Sequence, residues 1–147
     1  MDVSPTSGVQ HKLPHRQEIL LEQQEIQQLA ERDREVRAHE QAHASVGGRY
    51  AGSPNYSYAR GPNGVSYAVG GHVDVDVAEV PGDPAATLAK MQVVQRAAMA
   101  PQNPSPQDRA VAAKAMQQAA QARAELAASE SAGVREGTKG AFVDLLA

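Results

Sequence analysis

Ile19, Ile26, Leu29, Val36, Glu40 and His43 follow one another at steps of seven, three, seven, four and three residues. Steps of that size bring a 3.6-residue helix back to nearly the same angle, so the run from Gln17 onward reads as one long helix with a single inward stripe. The stripe changes chemistry along its length, aliphatic as far as Val36 and then carboxylate and imidazole. Gly47-Gly48 close it, because glycine readily takes the left-handed conformation that terminates helices. The last turn and a half of this helix therefore carries His39-Glu40-Gln41-Ala42-His43.

Downstream, the period changes. Tyr56-Ser57-Tyr58-Ala59-Arg60 and Val65-Ser66-Tyr67-Ala68-Val69 flank Gly61-Pro62-Asn63-Gly64, and Asn-Gly between alternating runs is a strong hairpin signal. The second strand can continue through Gly70-Gly71 into residues 72–77, where three valines share one face and His72, Asp74 and Asp76 the other. A glycine pair inside a strand marks a bulge that re-aims the side chains beyond it. Asp83-Pro84 and Ser105-Pro106 each pair an N-cap acceptor with proline at the first helical position, so two further helices start there. Asp108 falls in the first turn of the second, where a negative charge is favourable. Leu88, Met91, Val94 and Ala98 form the inner stripe of one; Val111, Ala115, Ala119, Ala122 and Leu126 form that of the other. These small side chains predict a close antiparallel helix pair. The expected architecture is α+β: a long helix, a hairpin or small antiparallel sheet, and two Ala-rich helices. A leader over residues 1–16 and a flexible tail over 129–147 bracket a domain over 17–128, with Phe142-Val143-Asp144-Leu145-Leu146 as an apolar end to the tail.

With one Phe and no Trp, the core of such a domain has to be built from aliphatic side chains and close helix contacts. The formal charge of -3 comes from interspersed acids and bases with no basic stripe, which argues against a nucleic-acid partner. No run approaches the roughly 20 apolar residues of a membrane span, and the N-terminus has no charged-then-apolar signal pattern, so a cytoplasmic protein without a membrane partner is expected. Cysteine is absent, which leaves His, Asp and Glu as the strong metal ligands.

Two histidines four apart on a helix point the same way and can share a metal, and Glu40 between them is placed to act on a water at the metal's open side. A catalytic zinc needs a third protein ligand. The tight metzincin extension would need glycine and histidine where this chain has Val46 and Arg49, so the ligand has to come from further along: His72, Asp74, Asp76 or Glu79. His72 is preferred, because it follows the glycine pair and because imidazole suits zinc. The oxyanion of a hydrolytic reaction would draw on Arg49, Tyr50, Tyr56, Tyr58 or Tyr67, among which no spacing rule chooses.

Several longer motifs occur in order. Residues 32–43 (Arg-Asp-Arg-Glu-Val-Arg-Ala-His-Glu-Gln-Ala-His), Gly47-Gly48-Arg49-Tyr50-Ala51-Gly52, Tyr67-Ala68-Val69-Gly70-Gly71, Val80-Pro81-Gly82-Asp83-Pro84 and residues 104–112 (Pro-Ser-Pro-Gln-Asp-Arg-Ala-Val-Ala) together resemble the bacterial SprA-related family over about residues 30–126. The resemblance implies a minimal zincin-like HExxH metalloprotease domain, with His39 and His43 as zinc ligands, Glu40 as the catalytic acid and base, and a peptide or protein substrate. Relatives read Gly-Gly-Glu-Val where this chain has Gly70-Gly71-His72-Val73. Both residue types bind zinc, which favours position 72 as the third ligand. The alternative is a non-catalytic interaction module built on the long helix, with exposed histidines or a structural metal.

Overall fold

A computed structural model describes residues 12–146, with side chains over 15–133. Its order is α1 (Lys12–Gly47), a 3-10 turn (Gly48–Tyr50), β1 (Asn55–Arg60), β2 (Ser66–His72), α2 (Pro84–Ala98) and α3 (Pro106–Leu146). Three helices and one two-stranded antiparallel sheet make this an α+β protein, as the sequence pattern predicts. Two ends differ from expectation. The first helix begins at Lys12 rather than Gln17, and α3 runs on to Leu146 through the stretch read as a tail. Residues 1–11 of the expected leader and the side chains of Phe142–Leu146 lie outside the described residues. No helix among those described is long and apolar enough to cross a membrane.

The chain divides into two units. One holds the chain up to Ala38 together with Asn55–His72; the other holds His39–Pro54 and the chain from Val73. In the first, β1 and β2 pair from Asn55↔His72 to Arg60↔Ser66, with the register shifting between Ser57 and Tyr58. Ser57 faces Gly70 and Tyr58 faces Ala68, so Val69 is the extra residue and the bulge sits one position ahead of the glycine pair. The turn is closed by Gly61 N–H to Val65 O at 2.8 Å, with Gly64 at φ 76°. Helix α1 fastens β2 directly. The Asp33 carboxylate accepts the Ala68 N–H at 2.8 Å, and Arg32 Nε donates to the Val69 carbonyl at 3.1 Å. Asp33 also pairs with Arg37, whose guanidinium lies 5.1 Å from the centre of the Tyr56 ring. A carboxylate so bonded is held below its ordinary pKa by the Ala68 N–H first and Arg37 next, against the upward pull of burial. Along α1, Ile26 and Leu29 are half-buried and Val36 is buried, whereas Ile19 remains exposed.

The second unit holds the core. Met91, Val94, Ala115 and Ala119 are buried together, with Tyr50, Val75, Val77, Leu88 and Val111 packed against them. Met91 and Val94, both fully buried, are worth about 1.5–3 kcal/mol each in area removed from water. Alanines at 97, 98, 112, 115, 119 and 122 let α2 and α3 approach closely, which compensates for the shortage of large residues. Asp83 caps α2 by accepting the Ala86 N–H at 2.9 Å, with Pro84 in the first position. Residues 73–77 keep the predicted alternation, valines half-buried and acids exposed, but do not extend β2. Instead Val75 bridges Ala51, fixed by Gly52 N–H to Asp74 O and Asp76 N–H to Tyr50 O, each 2.8 Å. Buried Lys90 is neutralised by Asp76 at 2.8 Å and lies 5.5 Å from the Tyr50 ring centre.

Candidate metal centre

The C-terminal turns of α1 end where Gly47 is buried: a Cβ there would come within 2.5 Å of the Ala51 Cβ. Gly48 then takes φ 52° and turns the chain away. Just before this stop, His43 is buried (4% exposed), Glu40 is buried (6%), and His39 is half-buried. The i, i+4 spacing brings the two imidazoles edge to face, centroids 4.8 Å apart, with Nε2 to Nε2 at 3.2 Å.

The third partner is Asp108. Its Oδ2 lies 3.2 Å from His39 Nε2 and its Oδ1 3.3 Å from His43 Nε2. His39, His43 and Asp108 form a group whose donor atoms all lie within 4.8 Å of one another. Asp108 is held there by the start of α3. Ser105 is the N-cap, its carbonyl accepting the Arg109 N–H at 3.0 Å and its Oγ the Asp108 N–H at 3.0 Å. Asp108 reaches back to accept the Ser105 N–H at 2.7 Å. This is a capping box with aspartate in the third position. Burial pushes the Asp108 carboxyl up, but the hydrogen bonds from Ser105 and the charges of His43 and His39 outweigh it, and the pKa stays below the ordinary carboxylate value.

His43 Nδ1 is 2.8 Å from the Ala97 carbonyl, which can only accept, so Nδ1 carries the hydrogen and a neutral His43 presents a bare lone pair at Nε2. His39 Nε2–H can then satisfy one of its two neighbours. With both imidazoles neutral, at least one of the three contacts sets lone pair against lone pair; a proton on His43 Nε2 donated to Asp108 Oδ1, or a cation at the centre, would relieve it. A tetrahedral ion with bonds of roughly 2.0–2.2 Å has ligand–ligand edges of about 3.3–3.6 Å, near the separation of the two imidazole nitrogens and that of each from its nearer Asp108 oxygen, so the group could hold a metal. The Ala97 carbonyl takes the place of the outer hydrogen bond that orients imidazoles in metal sites.

Other candidate residues have other surroundings. His72 closes β2 opposite Asn55, is exposed, and is not a member of the converging group. Asp74 and Glu79 are exposed, and Asp76 is engaged by Lys90, whose ammonium holds its carboxyl below the ordinary pKa. Of the four tyrosines, Tyr50 shares the unit of the histidines, and its hydroxyl accepts from Arg49 at 2.7 Å. Tyr67 accepts from Asn63 at 2.8 Å, Tyr56 lies under Arg37, and Tyr58 is exposed. Glu40 has no hydrogen-bond or ion-pair partner among the described residues, so its carboxylate is uncommitted. An open groove of about 720 Å³ runs between Val75–Glu79 and Lys114, Gln118 and Gln121 of α3, and none of the cluster residues lines it.

Asp108 and the Ala97 carbonyl went unseen as site members in the sequence. The Ser-x-x-Asp spacing was the available sign for Asp108, since it marks a capping box that immobilises the carboxylate. Its role as a donor needs the start of α3 to lie against the end of α1, which no local pattern states.

No curated protein and no solved structure matches the chain. The model of the SprA-related family does, over residues 8–143, a span that takes in the histidine helix, the hairpin and the Ser105–Asp108 cap. The chain therefore belongs to the SprA-related family.

Proposed function

We propose that this chain is a zinc-dependent metallopeptidase in which His39, His43 and Asp108 hold the metal and Glu40 is the general base. The observation that carries this reading is the convergence of two imidazole nitrogens, 3.2 Å apart, on the Asp108 carboxylate, His39 Nε2 3.2 Å from Oδ2 and His43 Nε2 3.3 Å from Oδ1, at the end of the helix that also bears Glu40. Among the described residues the group has three protein donors, and a three-donor set leaves zinc the open position that a catalytic site needs and a structural one lacks.

A bound zinc would supply Lewis acidity and lower the pKa of an attached water to about 7. The chain's own residues do the rest. Glu40, buried and without a partner among the described residues, accepts the proton of the attacking water and passes it to the departing amine nitrogen. His43, its tautomer fixed by Ala97, keeps its Nε2 lone pair directed at the centre. Asp108 balances the cation's charge and is kept ionised by its Ser105 hydrogen bonds.

Native mass spectrometry on zinc-loaded protein tests the ligand set. The parent chain should carry one zinc, His43→Ala and Asp108→Asn should lose it, and His72→Ala should keep it. Full zinc in Asp108→Asn, or its loss in His72→Ala, would overturn the assignment of Asp108 and return the third place to His72. Hydrolysis of an unfolded polypeptide, such as reduced and carboxymethylated lactalbumin, tests the activity; a zinc-loaded parent with no activity on any unfolded chain would favour the structural-metal alternative.

A further inference from the structure

The contact between Ser105 and Asp108 does two jobs at once. Ser105 Oγ and N–H close the capping box, and the residue they fix is the carboxylate facing both imidazoles. We infer that Ser105 is a positioning residue for the metal: its hydroxyl fixes the Asp108 backbone by accepting the Asp108 N–H, and the turn so closed presents the Ser105 N–H to the Asp108 carboxylate in the orientation that meets His39 and His43, so that metal affinity and order in the first turn of α3 are linked. This rests on the metal-site reading above and extends it to a residue that touches no metal.

The physical basis is the freedom of an aspartate. An unrestrained Asp side chain has several rotamers and must lose them on ligation, which weakens binding. Here that loss is taken up by folding. The Asp108 N–H is bonded to Ser105 Oγ at 3.0 Å, the carboxylate to the Ser105 N–H at 2.7 Å, and Pro106 fixes the backbone between them. Outer hydrogen bonds of this kind are worth about 10–100-fold in metal affinity. Coupling is reciprocal, so whatever factor the cap adds to zinc binding, zinc adds to the formation of the cap.

The measurement is zinc affinity of the full-length chain by chelator competition, read alongside urea unfolding of the zinc-free protein. Ser105→Ala and Ser105→Gly should both weaken zinc by about 10-fold or more. Glycine is nearly as good as serine at an N-cap, so the second variant keeps the fold if the first does not. Ser105→Thr, which retains a hydroxyl, should restore affinity to near the parent. Asp83→Ala, which removes the equivalent cap of α2, serves as the control for lost helix stability and should leave zinc affinity unchanged. Parent-like affinity in Ser105→Gly and Ser105→Ala, or equal weakening by Asp83→Ala, would overturn the positioning role while leaving the metal site intact. A parent chain that binds no zinc would instead bring down the metal-site reading itself.

Discussion

In the proposed mechanism a single residue, Glu40, would separate a catalytic site from one that only binds metal. It lies on the same turn as both histidines, is buried, and has no partner among the described residues to satisfy its carboxylate. Glutamine fills the same volume and cannot take a proton. Glu40→Gln should therefore keep one zinc per chain and lower kcat by about 10²–10⁴, the usual contribution of a positioned general base. Zinc content and turnover measured on the same preparation check this, and a variant that turns over at the parent rate would remove Glu40 from the chemistry. Single residues are also where the sequence was most and least informative. His39, Glu40 and His43 could be placed on one helix because spacing alone fixes their angles. Asp108 lies 69 residues beyond His39 and reaches the site through a helix cap, and only tertiary structure relates the two.

Among the elements, the hairpin is tied to α1 as well as closed by its own turn. A lone two-stranded sheet is marginal in water, and here the Asp33 carboxylate takes up a β2 amide, at Ala68. Because Ala68 and Arg37 depress the Asp33 pKa, its contribution to stability is fully present above the unfolded value of about 3.9 and is lost as pH falls through the lower folded value. Asp33→Asn should be less stable than the parent at pH 7, and the gap should close below about pH 4. Urea unfolding from pH 7 to pH 2.5 measures it; an unchanged gap at pH 2.5 would mean the charge is not what matters. Faces of α2 and α3 and both strands were readable because periods of 3.6 and 2 are properties of the chain itself. The bulge was misplaced by one residue, since its position is set by pairing across the sheet, and Val69 rather than the glycine pair is unopposed. Residues 73–77 failed to prolong β2 because Tyr50 and Gly52 offered them other backbone partners.

For the molecule as a whole, a metal at this site would join three helices: α1 through His39 and His43, α2 through the Ala97 carbonyl behind His43, and α3 through Asp108. A core this short of large side chains gains much from such a clasp. Free zinc at a hundred times its Kd should add about 2.7 kcal/mol to unfolding free energy and raise Tm by several degrees, and excess chelator should remove the gain. Asp108→Asn should show neither response. A parent chain whose Tm is the same in zinc and in chelator would show that no such linkage exists.

The hydrogen bond from His43 to Ala97 also bears on how this protein can change length over generations. Inserting one residue into α2 between Pro84 and Ala97 would rotate the carbonyl by about 100° and carry it off the imidazole. The same insertion at Gln102 or Asn103, both exposed in the connector, meets no such obstacle. Helix α2 thus behaves as a measured rod, and tolerance of inserted residues belongs to the loop that follows it.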